Sequence, residues 1–330
     1  VSSSFEMSDT AIIEGCQAIS NSSNSSNGGG VYVSSSSSFV MSNEAKIEGC
    51  QAISNSSNSS NSSNGGGVYL SNNTRFTLSG SAVIQNCTAT NSANPGEAYG
   101  GGVSAACVKE ITLADSARIA GCTAANGSGL YITGSLASPN VYGILYANSG
   151  SVDGDVVLGD TEDGPCTITG SGGTVFNGKV TVTPGSTIES GTFNGEVINN
   201  GTITGGVFNS TVSGSGIING GTFNGTPDHI TGSGTETDPY QISTAAGLKW
   251  FRDKVNDAKT EEETKICAVL TANIDLKNEE WTPIANYTTT NEIFYEGTFD
   301  GGGYTISGLN VTGKFRCASL FGAVKGGTIK

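Results

Sequence analysis

The chain has 330 residues, of which 49 are glycine and only 13% are charged, and its formal net charge is -14 at pH 7. Such an acidic chain is a poor partner for nucleic acid or for an anionic membrane surface. The sequence has no run of 18 or more apolar residues, so we expect no membrane insertion in this fragment. With one histidine, His229, and no CxxC pair, a zinc site is not expected.

Four sets of apolar residues with one fixed spacing organise residues 1–135. In every set the first and last residues are 11 positions apart, and the step from each Gly-rich strand to the next set is 8. The sets are Phe5, Met7, Ala11, Ile13 and Cys16; Phe39, Met41, Ala45, Ile47 and Cys50; Phe76, Leu78, Ala82, Ile84 and Cys87; and Ile111, Leu113, Ala117, Ile119 and Cys122. Constant spacing of this kind predicts the stacked coils of a parallel β-helix.

The stretch between each cysteine and the following glycines varies in length. These inserts cover 17–27, 51–64, 88–99 and 123–126, and the first two contain Asn-Ser-Ser triplets. A solvated excursion can lengthen at small entropic cost, so we interpret the inserts as surface loops beside the coils. If this block recognises a ligand, we expect the contact at this loop edge.

Cys16, Cys50, Cys87 and Cys122 share one inward repeat position and therefore form a column of thiols. Parallel coils in register point neighbouring Cβ atoms the same way, which is a poor geometry for a disulfide. We therefore predict free thiols that pack as small apolar side chains.

Residues 136–170 interrupt this spacing and contain the densest carboxylates of the chain. They are Asp153, Asp155, Asp160, Glu162 and Asp163. Alternating Asp and Gly in loops supplies the oxygen ligands that calcium takes, so Asp153, Asp155, Asp160 and Asp163 form a candidate calcium site. The full EF-hand spacing is absent, and a solvated acidic corner is the alternative. We expect no other cofactor.

A tighter repeat follows, in which Phe176, Phe193, Phe208 and Phe223 recur 17, 15 and 15 residues apart. Aliphatic residues keep constant offsets from these rings. This shared phase predicts a narrower β-solenoid over 136–230 that continues the first block and has an internal phenylalanine stack. A sugar-binding platform formed by the same rings is the alternative.

The composition changes near residue 230, and the segment 231–330 begins with the one convincing helix. Ser243 is a suitable N-cap for a helix over 243–258. Its apolar face consists of Ala245, Leu248, Phe251 and Val255. Strand patterns resume at 267–276, so we predict the helix-capped start of a second β-helical domain. The whole chain is predicted to be all-β, a parallel β-helix in tandem blocks with one amphipathic capping helix.

Two parts of the sequence resemble repeats of bacterial surface proteins. The strands such as Gly65-Gly-Gly-Val68-Tyr69, with the recurrent Phe-x-Met sets, resemble the right-handed parallel β-helix repeats of adhesins, including polymorphic outer membrane proteins. Residues 235–330 resemble the segment that introduces GLUG repeats. That resemblance rests on Pro239-Tyr-Gln-Ile-Ser243, Ala272-Asn-Ile-Asp-Leu276, Gly297-Thr-Phe-Asp300 and Ser319-Leu-Phe-Gly322. Both resemblances imply an extracellular location, at the cell surface or secreted.

Two classes of function remain open. The resemblances imply a non-catalytic fragment, an adhesin or stalk that presents its solenoid to host glycans or proteins. Parallel β-helices also carry polysaccharide lyases and glycosidases, so a carbohydrate-active enzyme is the alternative. The outward ionisable residues Glu14, Lys46, Glu48 and Arg118 are interpreted as a sparse solvated surface without catalytic residues.

The chain begins and ends inside repeats, so we expect it to be part of a longer chain.

Overall fold

The computed structural model describes residues 3–21, 24–56, 61–135, 143–160, 163–224, 230–286, 293–313 and 315–330. The chain divides into two compact units, Val1–Ile217 and Ile218–Lys330. Both units are built mainly from short parallel strands. Glu162 and His229, which the sequence singled out, lie outside the described residues.

Three parallel sheets, here called A, B and C, form the first unit. Sheet A contains Ser4–Met7, Ser38–Met41, Arg75–Leu78, Glu110–Leu113, Ile144–Ala147, Thr167–Thr169, Thr187–Ile188 and Thr202–Ile203. Sheet B contains Ile12–Glu14, Lys46–Glu48, Val83–Gln85, Arg118–Ala120, Ser151–Val152, Val175–Phe176, Thr192–Phe193 and Val207–Phe208. Sheet C contains Val31–Val33, Val68–Leu70, Val103–Ala105, Leu130–Ile132, Val156–Leu158, Val180–Val182, Val197–Asn199 and Val212–Ser213. The next strands of the chain are Ile217–Ile218 and Thr222–Phe223. This arrangement confirms the predicted parallel β-helix.

The repeat positions deduced from the spacing pair with one another across coils. Phe39 pairs with Phe5 and with Phe76, and its ring centroid lies 5.0 and 5.1 Å from theirs. Ile47 pairs with Ile84 in sheet B, and both are fully buried. The spacing is constant because a one-residue slip would turn each of these inward side chains to the opposite face.

The inserts were predicted to be surface loops, but their described ends form two further parallel sheets. One contains Gln17–Ser20, Gln51–Ser54 and Thr88–Asn91, and the other contains Ser26–Asn27, Ser63–Asn64 and Ala98–Tyr99. Ala52 and Ala89 of the first of these sheets are buried. A short 3₁₀ helix, Pro95–Glu97, precedes the last strand. Strands this short carry too little alternation to be told from loops by sequence alone.

The repeated cysteines are free thiols, as predicted. Cys50, Cys87 and Cys122 are buried, whereas Cys16 in the first coil is exposed. Burial raises the pKa of the Cys50 thiol to about 11. The Cys50 thiol therefore acts as an interior packing group rather than as a reactive nucleophile.

The coils that follow the acidic segment are narrower and contain the predicted phenylalanine stack. Neighbouring rings of Phe176, Phe193 and Phe208 lie 4.9 Å apart between centroids, with 8° between their planes. All three rings are buried. They form core, so the alternative of a sugar-binding platform is wrong for these residues.

The second unit contains a four-stranded parallel sheet, a two-stranded parallel sheet and one α-helix. The four strands are Tyr240–Ile242, Ala268–Leu270, Thr298–Asp300 and Thr328–Ile329, and the two are Ile274–Asp275 and Ile306–Ser307. The α-helix covers Ala245–Asn256, and a 3₁₀ helix covers Glu262–Thr264. Leu248, Phe251 and Val255 of the predicted apolar face lie in the core of this unit.

The N-cap of this helix is Thr244, and the prediction of Ser243 was wrong by one residue. The side-chain oxygen of Thr244 accepts a hydrogen bond from the backbone N–H of Gly247 at 3.0 Å. The buried face is also wider than predicted, since it includes Ala246 and Trp250. Serine and threonine are both favoured N-cap residues, so a serine next to a threonine does not by itself identify the cap.

Candidate functional site

The outward residues of sheet C form one column along the first unit because the coils stack in register. Tyr69 pairs with Tyr32 on one side and with Ser104 on the other. Ser104 in turn pairs with Tyr131, which pairs with Val157. The serine side chain is much smaller than its neighbours and is only 1% exposed, because the surrounding side chains cover it. It forms the floor of a narrow gap between two tyrosines whose strands are two coil spacings apart, roughly 10 Å.

This gap opens into a cleft of about 260 Å³, here called the tyrosine cleft. Besides Ser104, its side chains of chemical interest are Tyr69, Glu97, Tyr99, Tyr131, Asp160 and Asp163. They come from sheet C, from the end of the third insert and from the acidic segment. Three parts of the chain that are distant in sequence thus meet at one surface.

Tyr99 and Tyr131 form an aromatic wall of the cleft. Their ring centroids lie 4.8 Å apart and their planes are tilted by 53°. Tyr131 is buried, whereas Tyr69 and Tyr99 are half-buried. Half-buried rings at a concave surface provide apolar area that a ligand can cover.

Two tyrosine hydroxyls hold two of the carboxylates in place. The hydroxyl of Tyr99 donates to Oε2 of Glu97 at 2.7 Å. The hydroxyl of Tyr131 donates to Oδ2 of Asp160 at 2.9 Å. A hydrogen bond to an ionised acceptor is stronger than a neutral one, so each pair fixes both the ring and the carboxylate.

The third carboxylate, Asp163, is held by a buried threonine. Its Oδ2 accepts a hydrogen bond from Oγ1 of Thr133 at 3.2 Å. The same Thr133 oxygen accepts one from the backbone N–H of Cys107 at 3.0 Å. Asp163 itself is exposed. The hydrogen bond from the buried Thr133 therefore fixes the carboxylate of Asp163, which remains accessible to solvent.

Two tyrosines of the cleft, Tyr69 and Tyr131, are neutral near pH 7. Burial raises the pKa of Tyr69 to about 12, with smaller contributions from Tyr32, Cys107 and Asp163. Burial, and then the hydrogen bond to Asp160, also raise the pKa of Tyr131. The phenolate form is disfavoured because these rings lie away from water and beside negative charge.

The first two candidate calcium ligands have protein partners elsewhere in the first unit. Oδ2 of Asp153 forms an ion pair with Nη2 of Arg118 at 2.5 Å, and its Oδ1 accepts from Nδ2 of Asn177 at 2.7 Å. Oδ1 of Asp155 accepts from the backbone N–H of Lys179 at 2.9 Å. These two carboxylates stabilise contacts between neighbouring coils.

The other two candidate ligands, Asp160 and Asp163, both line the tyrosine cleft. Within the described ranges, no group of three or more His, Cys, Asp or Glu side chains is arranged to hold a metal ion. Glu162, which lies between the two aspartates in sequence, is outside those ranges. The calcium site stays a prediction.

The sequence predictions did not include the tyrosines of the cleft, although one signal was available. The residues that follow Val31, Val68, Val103 and Leu130 read Tyr, Tyr, Ser and Tyr. A small residue between aromatic neighbours in an outward column indicates a gap.

Glu97 and Tyr99 have no such signal, because they end an insert of variable length. They do lie at the loop edge where a contact was expected. The outward residues Lys46 and Arg118 belong to sheet B instead and do not line the cleft.

No protein-family model, curated protein or solved structure matches this chain. In the part of the chain that the structure describes, no helix is long and apolar enough to cross a membrane. The function proposed below therefore depends on the geometry and chemistry of the tyrosine cleft.

Proposed function

We propose that this chain is a non-catalytic segment of an extracellular surface protein, an adhesin or stalk, that contacts glycans through the tyrosine cleft. The observation that carries the proposal is the gap at Ser104 between Tyr69 and Tyr131, beside Tyr99 and three carboxylates. Aromatic faces cover the apolar C–H surface of a sugar ring, while carboxylates accept hydrogen bonds from sugar hydroxyls.

The solenoid supports the role of a presenting scaffold. Parallel strands in one sheet are about 4.8 Å apart, so the eight strands of sheet C cover roughly 34 Å. Regular backbone hydrogen bonds between these strands fix the positions of their side chains. A binding site built on the sheet therefore keeps one geometry. The resemblances to adhesin repeats and to GLUG segments support the extracellular location, with host glycans or proteins as partners.

Binding of the purified chain to immobilised glycans tests this proposal. Tyr99→Ala removes one face of the aromatic wall, and we expect at least about fivefold weaker binding because a stacked ring contributes about 1 kcal/mol or more. Tyr146→Ala is the matched control, since Tyr146 is a half-buried tyrosine of sheet A. Unchanged binding by the Tyr99 variant, or equal losses in both variants, would remove the cleft from the proposal.

A glycan-degrading enzyme is the second candidate, because the cleft contains three carboxylates and glycosidases use two. Incubation with a panel of polysaccharides, followed by measurement of reducing ends, separates the two functions. The adhesin proposal expects no release. Release that disappears in Glu97→Gln or Asp163→Asn would identify a glycosidase instead.

A further inference from the structure

We infer that the tyrosine cleft selects sugar residues that carry a protonated amine, such as glucosamine, over neutral and acidic sugars. The inference rests on the proposed glycan contact and specifies its ligand. It follows from the charge of the cleft, from the position of the carboxylates beside the rings and from the size of the gap.

Among the described residues that line the cleft, every charged side chain is acidic. Glu97, Asp160 and Asp163 line it, and none of its described lining residues is Lys, Arg or His. The formal charge of the whole chain, -14, adds to the same potential. Uronic acids, sialic acids and sulfated sugars are therefore repelled, whereas a cationic sugar is attracted.

The aromatic rings favour a cation at the same place. An ammonium group is attracted to the face of a tyrosine ring within about 6 Å of its centroid. The rings of Tyr99 and Tyr131 are tilted by 53°, so they do not cover each other completely. Tyr99 is half-buried, and part of its surface remains accessible.

The tyrosine–carboxylate hydrogen bonds combine these two attractions. They put Oε2 of Glu97 at 2.7 Å from the Tyr99 hydroxyl and Oδ2 of Asp160 at 2.9 Å from the Tyr131 hydroxyl. Tyr131 is buried, so the accessible ring is that of Tyr99, and the Glu97 carboxylate lies at the hydroxyl edge of that ring. A protonated amine has three N–H donors, and an ionised carboxylate can accept more than one hydrogen bond.

The dimensions favour one small ligand over an extended basic peptide. The strands of Tyr69 and Tyr131 are roughly 10 Å apart, and the buried Ser104 forms the floor between them, so the ligand would lie above the serine. The cleft volume of about 260 Å³ lies below the usual range for drug-sized ligands, about 300–1,000 Å³. We therefore expect one amino sugar residue in the cleft rather than an extended chain.

Calorimetric titration of the whole chain with three tetrasaccharides tests the inference. The probes are glucosamine, N-acetylglucosamine and galacturonate tetramers, compared at about pH 6 in low salt. We expect the glucosamine tetramer to bind at least about tenfold more tightly than the N-acetylated one, and galacturonate to bind most weakly. The preference should shrink in about 0.5 M salt, where charges are screened within a few Å.

Two variants test the carboxylates directly. Glu97→Gln and Asp163→Asn keep a hydrogen-bond acceptor for Tyr99 and Thr133 but remove one negative charge each. We expect both variants to lose most of the preference for glucosamine, so that their affinities for the amino and N-acetylated tetramers converge. Glu44→Gln is the matched control, since Glu44 is an exposed acid that does not line the cleft. Circular dichroism melts establish that each variant is folded.

The outcomes separate the inference from the proposed function. Equal affinity for the amino and N-acetylated tetramers overturns the inference and leaves a neutral-sugar contact. Binding of none of these probes, together with no glycan binding in the array, overturns both. Tetralysine binding as tight as that of the glucosamine tetramer also overturns the inference, because the cleft would then recognise a basic peptide.

Discussion

The hydroxyl of Tyr131 donates a hydrogen bond to Oδ2 of Asp160 at 2.9 Å, across 29 positions of sequence. Tyr131 belongs to the repeated block, whereas Asp160 belongs to the acidic segment that interrupts the repeat spacing. The two features are separate in sequence, and the stacking of coils makes them neighbours. The interruption of the repeat therefore supplies part of the candidate site.

Overpacking the floor of the gap between the two tyrosines should abolish binding and lower stability. Ser104 is only 1% exposed, so the ring of Ser104→Tyr must displace side chains that cover the serine. We expect glycan binding to fall at least about tenfold, since the ligand would have to displace a packed ring. The free energy of unfolding should fall by about 1–3 kcal/mol, because added bulk at a packed position forces its neighbours to move.

Thr181→Tyr is the control for this change. Thr181 lies in the same outward column of sheet C, two coils beyond Tyr131, and does not line the cleft. This variant should bind normally. If Ser104→Tyr is folded and also binds normally, the gap is not the ligand site.

Much of the first unit followed from the sequence because its repeats constrain one another. A fixed register is needed where Phe39 stacks between Phe5 and Phe76, so the spacing alone identified the buried positions. The site depended instead on Glu97 and Tyr99, which end an insert of variable length. A residue outside the repeat register has no counterpart in the other coils, so its neighbours in space cannot be deduced from spacing.

The acidic segment shows the same limit. The sequence grouped Asp153, Asp155, Asp160 and Asp163 because they are close along the chain. In the structure Asp153 binds Arg118 on sheet B, and the last two line the tyrosine cleft. Proximity in sequence is a weak guide in a solenoid, where a few residues carry the chain from one face to another.

Calcium should have little effect on the stability of the first unit. All four carboxylates of the predicted site already accept hydrogen bonds or form ion pairs within the protein. We expect the same melting temperature in EDTA and in millimolar calcium chloride. A site with calcium at 100 times its dissociation constant would add about 2.7 kcal/mol, so a rise of several degrees with calcium would support the calcium site instead.

The phenylalanine stack should contribute strongly to the stability of the narrow coils. Phe193 is fully buried, and its ring lies 4.9 Å from the rings of Phe176 and Phe208. We expect Phe193→Ala to reduce the free energy of unfolding by about 3–5 kcal/mol, through lost apolar burial and a cavity. Glu196→Ala, an exposed change three residues away, should stay within about 0.5 kcal/mol. Urea denaturation measures both, and equal small effects would contradict the core assignment.

The two candidate caps of the helix can be separated by a pair of variants. Thr244→Ala removes the acceptor for the N–H of Gly247 and should destabilise the second unit by about 1 kcal/mol. Ser243→Ala should have a much smaller effect, because Ser243 precedes the cap. Hydrogen exchange at the first turn of Ala245–Asn256 measures the local change. Faster exchange in the Ser243 variant than in the Thr244 variant would restore Ser243 as the cap.

The buried thiol of Cys50 should make the first unit less stable at alkaline pH. Burial raises its pKa from 9.0 to about 11 in the folded chain, so the unfolded chain releases the proton first. Stability is therefore complete below about pH 9 and is lost as the pH rises toward 11, by up to about 1.4 kcal/mol for each pH unit. Cys50→Ala should be less stable at pH 7 because it leaves a small cavity, yet its stability should fall less steeply between pH 9 and 11. Urea denaturation at several pH values gives both slopes, and parallel slopes would show that this thiol does not contribute to the alkaline loss.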